Sequence, residues 1–391
     1  MKIFVLLSRF PYPLEKGDKL RAYNQIREIS KKHEIMLCAL NEGNINPSAI
    51  EQLSPFCISV NVIQLSKIRR LWSFIKALFN GIPFQVAYFY QCKAKHKIHS
   101  LIKEHQPDVI FCQLLRVTKY VEEIPIPKIL DFQDVFSKGI QRRISTTSFL
   151  FKLFFKEEYR RLLKYEQYVF DLFDYKTIIS DPDRQLIPHP KKDEIVVIPN
   201  GVDTDYYHPI EREKKYDLIF SGNMGYPPNV NSAEFLVKKI LPLVHQKMPK
   251  VNLIIAGAKP SASVLALRSE YVTVTGWVED MRECYAAARI FIAPMQIGTG
   301  LQNKLIEAMS MQLPCITSAL ANSALGSIHG KEILVGNSAE EYAEFIILLL
   351  KDPAKASEIS LNGLNFALRN FNWETHTTKL IALLESAGNK S

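Results

Sequence analysis

Short apolar runs recur along this chain at 3–7, 35–40, 60–65, 109–112, 128–131, 177–180 and 195–199, with longer mixed segments between them. Runs of that length, rich in Ile, Val, Leu and Phe, read as buried strands. Their alternation with helix-length stretches is the βαβ rhythm of a parallel sheet. A second set at 217–221, 251–257, 272–275, 290–294, 315–318 and 332–335 repeats the rhythm, interleaved with helical patterns such as 232–245 and 303–312. Between the two sets, turn residues in Pro199-Asn-Gly-Val-Asp-Thr-Asp-Tyr-Tyr-His-Pro209 and the charged run 211–215 break the strand pattern. The expected architecture is α/β, with two doubly wound domains at 1–205 and 206–370 facing a central cleft. A last helix within 371–391 is expected to pack back on the first domain.

Composition adds limits rather than a function. A chain of 391 residues with 47% hydrophobic and 23% charged content is long enough for two cores of ordinary globular type. Its six cysteines form no C-x-x-C pair and several lie inside strand-like runs, which fits a reducing cytoplasm. The opening apolar run is too short for a signal peptide or a membrane span. A formal charge of +9 favours an anionic partner without choosing among a nucleotide, an acidic membrane and a nucleic acid.

The densest chemistry lies in Pro294-Met-Gln-Ile-Gly-Thr-Gly-Leu-Gln-Asn-Lys-Leu-Ile-Glu-Ala-Met309, where a strand runs through a glycine loop into a helix. Gly298 and Gly300 free the backbone to turn tightly. The helix that follows presents unpaired N–H groups and the positive end of its dipole, the natural seat of a phosphate. Lys304 and Glu307 share one helix face, a cation near the loop and a carboxylate a turn deeper, a pair suited to a diphosphate and ribose hydroxyls. The same residues also suit a plain turn followed by a solvated ion pair, and this segment taken alone leaves both readings open.

Four segments together carry a resemblance: Pro11-Tyr-Pro-Leu-Glu-Lys-Gly-Asp-Lys-Leu-Arg21, Ile198-Pro-Asn-Gly-Val-Asp203, Gly276-Trp-Val-Glu-Asp280 and the loop–helix segment ending at Met309. In this order the chain resembles, over nearly its whole length, the retaining nucleotide-sugar-dependent glycosyltransferases of the GT-B fold, family four. Lys16-Gly-Asp-Lys19, Ser221-Gly-Asn-Met-Gly-Tyr-Pro-Pro-Asn-Val-Asn231 and Asn303-Lys304 are similar to motifs of a bacterial subgroup associated with surface-polysaccharide and exosortase-type gene systems. The resemblance implies two Rossmann-like domains in the GT-B arrangement. It further implies that Glu307 accepts ribose hydroxyls, that Gly298, Thr299, Gly300 and Lys304 hold the donor diphosphate, and that the backbone around Val278 faces the base. Gly17 would approach the diphosphate or sugar from the first domain, although a turn glycine there reads the same way.

Departures from the family pattern are informative. Thr299 stands where relatives usually carry a Glu eight residues before the one matching Glu307. Asn223 stands where an Arg is common, with no Lys nearby. Gln133 and Asp134 occupy the place of a His-Asp pair. Asp134 is a candidate to orient an acceptor or sugar hydroxyl, although an Asp after a strand is more often a turn or capping residue.

Other motifs carry less. Asp181-Pro-Asp183 and Asp203-Thr-Asp205 match D-x-D, but both follow strands where caps and turns account for them, so no metal is expected. His96 and His99 sit among lysines that oppose a bound cation. Two basic amphipathic stretches, 67–79 and 152–168, mix Lys and Arg with Phe, Leu, Ile and Trp or Tyr. A domain surface and an anionic membrane surface are both compatible with them.

The expectation is therefore a cytoplasmic glycosyltransferase of hexosyltransferase type, peripheral on the inner face of the membrane. It would move a sugar from a nucleotide diphosphate donor to a glycan or lipid-linked glycan acceptor in cell-surface polysaccharide biosynthesis. Lys304 and Asp134 are the catalytic candidates, with no cofactor, no metal and no nucleic acid among its partners. Its alternatives are a nucleotide-sugar epimerase or hydrolase on the same fold, and a non-catalytic glycan-assembly subunit.

Overall fold

Each of the thirteen apolar runs forms a strand in the computed structural model, which describes residues 1–14, 16–43, 45–147, 149–297 and 300–389. In the first unit, Met1–Pro199 with Trp373–Ser391, the strands are β1 (Lys2–Leu7), β2 (Glu34–Asn41), β3 (Ser59–Gln64), β4 (Val109–Gln113), β5 (Lys128–Asp131), β6 (Tyr175–Ile178) and β7 (Val196–Val197). They form one sheet in the order β3-β2-β1-β4-β5-β6-β7, with every pairing parallel. In the second unit, Asn200–Asn372, β8 (Tyr216–Ser221), β9 (Leu253–Ala256), β10 (Val272–Val274), β11 (Ala288–Ala293), β12 (Cys315–Ser318) and β13 (Leu334–Gly336) form a parallel sheet in the order β10-β9-β8-β11-β12-β13. The strand order reverses between β1 and β4 in one sheet and between β8 and β11 in the other. Such switch points open a crevice at the carboxyl ends of the strands.

The alternation within β1 shows how the first sheet is covered. Ile3, Val5 and Leu7 pack with Leu380, Ile381 and Leu384 of helix Trp373–Gly388, and with Ala22 and Ile26 of helix Gly17–Ser30. Phe4 and Leu6 point to the other face, into a cluster with Ile98 and Leu101 of helix Cys92–His105. Side chains of period two can do this only when both faces are buried, as crossover helices require. The chain returns to the first unit at Trp373, and the units divide between Pro199 and Asn200.

A charge pair holds the first unit together at its centre. Arg21 and Asp131 are both fully buried. The Arg21 Nε donates to Asp131 Oδ2 at 2.7 Å, and its Nη2 to Oδ1 at 3.0 Å. Thr177 Oγ1 donates to the same carboxylate at 2.7 Å, and Arg21 Nη1 to the Ile198 carbonyl at 2.9 Å. One guanidinium thus ties helix Gly17–Ser30 to the ends of β5 and β6 and to the strand-edge segment after β7. Fork geometry and filled lone pairs are what allow charges to persist out of water.

Removing one partner leaves the other charged and buried. Asp131→Ala should cost about 3–5 kcal/mol of unfolding free energy, read from the shift of a denaturant midpoint at unchanged slope. A shift no larger than that of an exposed surface substitution would show that the pair carries no such weight.

Candidate functional site

The second sheet's switch point sets out the site. β8 ends at Ser221 and β11 at Ala293, and helix Asn303–Ser310 follows the loop after β11. Gln302, at the cap position of that helix, gives no side-chain hydrogen bond to the first-turn amides. The helix therefore opens with amide donors and the positive end of its dipole. Gly300 adopts φ 105°, a conformation natural to glycine, and its carbonyl accepts from Gln302 Nε2 at 3.2 Å. Gly298 and Thr299 lie outside the described residues.

Lys304 points from the first turn into a mostly uncharged setting. Its Nζ donates to Asn229 Oδ1, lies 3.9 Å from the Met295 sulfur and sits 5.0 Å from the centre of the Phe220 ring. Among the described residues no carboxylate lies within ion-pair distance of it. Loss of hydration pushes its ammonium down to about 7, and the field of Glu307 only partly opposes that push. A strip of the side chain stays accessible, which moderates the push without reversing its sign.

Glu307, one turn deeper, is held differently. Tyr285 is fully buried, and its hydroxyl donates to Glu307 Oε2 at 2.9 Å while lying 2.8 Å from Ser221 Oγ. Burial raises the Glu307 carboxyl above its ordinary range, and the Tyr285 hydrogen bond and Lys304 pull the other way. The same crowding raises the Tyr285 and Tyr207 phenols, with Glu307 the next contributor for each. A phenol so held stays a donor, and the carboxylate keeps capacity for further hydroxyl groups.

The glycine after β8 makes room for this arrangement. At Gly222, φ is 145°, and an added Cβ would fall 2.7 Å from Asn229 Nδ2 and 3.3 Å from Lys304 Nζ. Asn229 is oriented in turn by its Nδ2–H, which donates to the Asn223 carbonyl at 3.0 Å. The Asn223 side chain is spent on the Gly225 amide at 3.0 Å, so it acts on Lys304 at one remove. Val278 packs on the second core from the loop after β10, beside the exposed Trp277.

Gly17 and Asp134 belong to the first unit. Gly17 is the first residue of helix Gly17–Ser30, and a Cβ added there would meet nothing within 4 Å. Asp134 follows β5, and its Oδ1 accepts the Val135 amide at 2.7 Å. Crowding first, and then the Asp183 carboxylate, push its carboxyl up to about 6, although its exposed surface lets water screen that push.

The structure thus brings Lys304 and Glu307 together with Ser221, Gly222, Asn229 and Tyr285. Ser221, Gly222 and Asn229 lay inside a quoted motif without a role. Tyr285, in helix Met281–Ala286, carried no sequence signal. The D-x-D segments serve locally: Ser180 caps helix Asp181–Leu186 through the Asp183 amide, and Asp203 Oδ1 accepts the amides of Asp205 and Tyr206. His99 meets the Tyr120 carbonyl at 2.8 Å. Among the described residues no three His, Cys, Asp or Glu side chains gather as a metal site.

The chain is similar to known proteins. Residues 215–352 match the family model described as Glycosyl transferases group 1. A 44.6 kDa uncharacterized protein in the cps region of Klebsiella pneumoniae is 22% identical over 392 residues, covering 95% of this chain and 96% of that protein. Anabaena Alr3699/HepE, solved with UDP and glucose, superposes with a TM-score of 0.71 at 14% identity, covering 98% of this chain and 99% of that one. WaaG, a glycosyltransferase involved in lipopolysaccharide biosynthesis, superposes at 0.66 and 15% identity, covering 98% and 99%. Likeness across the full chain at such low identity gives the fold, which is GT-B.

Lys304 carries a pH signature. Its ammonium is depressed to about 7, and an anion beside it raises that value, so binding takes up a proton. Affinity for a nucleotide diphosphate sugar, whose diphosphate does not itself titrate near neutrality, should be greatest below about pH 7. It should fall by up to roughly tenfold per pH unit above that value. Lys304→Arg keeps its charge throughout and should flatten the profile, as measured by calorimetric titration in buffers of different ionisation enthalpy. A wild-type affinity independent of pH, with no proton uptake, would contradict this.

Proposed function

We propose that this chain, a GT-B glycosyltransferase by its fold and by the Glycosyl transferases group 1 domain it carries, moves a sugar from a nucleotide diphosphate sugar to a hydroxyl of a glycan acceptor, with retention at the anomeric carbon. The observation that carries the reading is Lys304, a cation at a helix N-terminus with no carboxylate within ion-pair distance among the described residues. A site of that kind is incomplete until an anion arrives. As the glycosidic bond breaks, negative charge grows on the leaving diphosphate, and the ammonium, loop amides and helix dipole stabilise it without reorganising. Glu307, fixed by Tyr285, takes ribose hydroxyls. These groups supply the charge stabilisation, so the reaction proceeds without a divalent metal.

The acceptor is a lipid-linked glycan at an anionic membrane surface on the cytoplasmic side. The support lies in the first unit, where helix Lys67–Asn80 leaves Ile68, Leu71, Trp72, Leu78 and Phe79 exposed, and the start of helix Phe149–Leu172 leaves Phe149, Phe151 and Leu153 exposed. Phe74, Phe84 and Phe154 stack on one another at 4.8–5.9 Å and join the two helices into one surface. Lys67, Arg69, Lys76 and Lys156 are the exposed cations along it. Arg70 does not belong to this surface as the amphipathic pattern implied, because it turns inward to Glu42 and the Tyr88 hydroxyl. Among the described residues no helix is long and apolar enough to cross a membrane, so the contact is interfacial.

Two experiments test the reading. With a nucleotide sugar chosen by thermal shift and a lipid-extract acceptor, Lys304→Ala should lower turnover about a hundredfold with the fold intact. Glu307→Ala should chiefly raise the donor KM, and wild-type turnover should survive EDTA. Turnover needing no acceptor would favour an epimerase or hydrolase, and none at all a non-catalytic subunit. For the surface, the protein should sediment with anionic but not neutral vesicles and be released by salt, each exposed cation contributing about 1 kcal/mol. Recovery in the supernatant with both at low salt would remove the membrane from the account.

A further inference from the structure

The first sheet has its own switch point, between β1 and β4, and the charged groups around it do not balance. Arg116 leaves the end of β4 three residues beyond Gln113. Its guanidinium lies 5.1 Å from the centres of both the Phe89 and Phe136 rings. Of the charged groups whose fields reach it, Arg9 and Asp18 are paired with each other at 2.9 Å. Glu42, the other carboxylate in range, is paired with Arg70 at 3.0 Å. Among the described residues three arginines therefore share two carboxylates, and Arg116 is the one left over. Its only protein acceptor among the described residues is the Gln85 amide oxygen, at a long 3.5 Å, and its buried Nε has none. Loss of hydration lowers its affinity for its proton, although a guanidinium still remains charged near neutrality.

Two neutral donors stand at the same edge. Gln113 ends β4 and pairs in register with Asp131 at the end of β5. Gln133 lies two residues past Asp131. Both glutamines are buried, and among the described residues their Nε2 groups have no acceptor. A buried donor left without an acceptor is costly, so three near neighbouring strand ends mark a place that something else completes.

We propose that the carboxyl edge of β1, β4 and β5 binds an anionic group of the acceptor, a phosphate or a sugar carboxylate, with Arg116 as its counter-ion and Gln113 and Gln133 as flanking donors. This rests on the glycosyltransferase reading and deepens it, since it makes the acceptor a charged glycan rather than any hydroxyl. Rings over the guanidinium leave its N–H groups to work in their own plane, the geometry that meets a carboxylate or phosphate with two parallel bonds.

The test titrates the full chain with glucose 1-phosphate, glucuronate and glucose, in the presence of a saturating nucleoside diphosphate that fills the Lys304 site. Either anionic sugar, or both, should bind at least tenfold more tightly than glucose, and the one preferred names the anion. Arg116→Gln should bring the anionic sugars level with glucose at unchanged nucleotide affinity, and Arg116→Lys should keep only part of the preference. Equal binding of all three sugars by the wild type, or an undiminished preference in Arg116→Gln, overturns the proposal. If Arg116→Gln fails to bind nucleotide, Gln113→Met decides instead, with a several-fold loss of the preference expected and no loss overturning it. A wild-type chain that binds no nucleotide fails the functional reading itself, which the nucleotide titration reports separately.

Discussion

A lysine held away from water, with no carboxylate within ion-pair distance among the described residues, is the constraint around which the second unit's site is arranged. Hydration lost by the Lys304 ammonium is returned only in part, by one amide oxygen and by the faces of a ring and a sulfur. For that oxygen to point at the ammonium, Asn229 must be turned by the Asn223 carbonyl. For Asn229 to lie that close, residue 222 must have no side chain. Gly257 extends the same requirement, since a Cβ there would fall 1.9 Å from the Gly222 carbonyl oxygen, while Gly222 N–H donates to Ala256 at 3.0 Å. Two strand ends and a helix are therefore set against one another so that a cation stays exposed to a ligand and poorly satisfied without it.

The first unit shows the opposite use of charge. Arg21 and Asp131 meet in a two-bond fork with further donors and acceptors filled, and the result is a tie among four elements rather than a binding place. Arg21, Lys304 and Arg116 are alike as cations removed from bulk water, and they differ in what surrounds them. A matched buried pair contributes structure, while an unmatched one stores affinity for whatever neutralises it. Counting basic residues, as a net charge of +9 does, cannot separate these cases.

Much of the fold was legible because strands in parallel sheets are buried on both faces and read as continuous apolar runs. The rhythm of those runs gave all the strands and their division into two sheets, and the glycine loop pointed to the helix bearing Lys304 and Glu307. Partners brought in from elsewhere in the chain were not legible. Nothing about Tyr285 distinguishes it from any tyrosine in an amphipathic stretch, because its meaning comes from Ser221 and Glu307, 64 and 22 residues away. Arg70 failed for a related reason. The amphipathic pattern placed it with the exposed cations, but the pattern does not know that Glu42 and Tyr88 stand on its inner side.

Tyr285 also explains why Glu307 and Lys304, a turn apart on one helix, do not simply cancel each other. At that spacing a carboxylate and an ammonium ordinarily form a surface pair worth a few tenths of a kcal/mol. Here the phenol claims one carboxylate oxygen and the Asn229 amide claims the ammonium, so each charge is anchored to a different part of the sheet edge. The phenol's own position is set by the Ser221 hydroxyl at the end of β8, by an edge contact with Tyr207 and by a tilted contact with Phe291. Keeping the two charges apart holds a cation and a carboxylate about a helical turn from each other, a spacing that suits a ligand presenting an anion at one point and hydroxyl groups at the next.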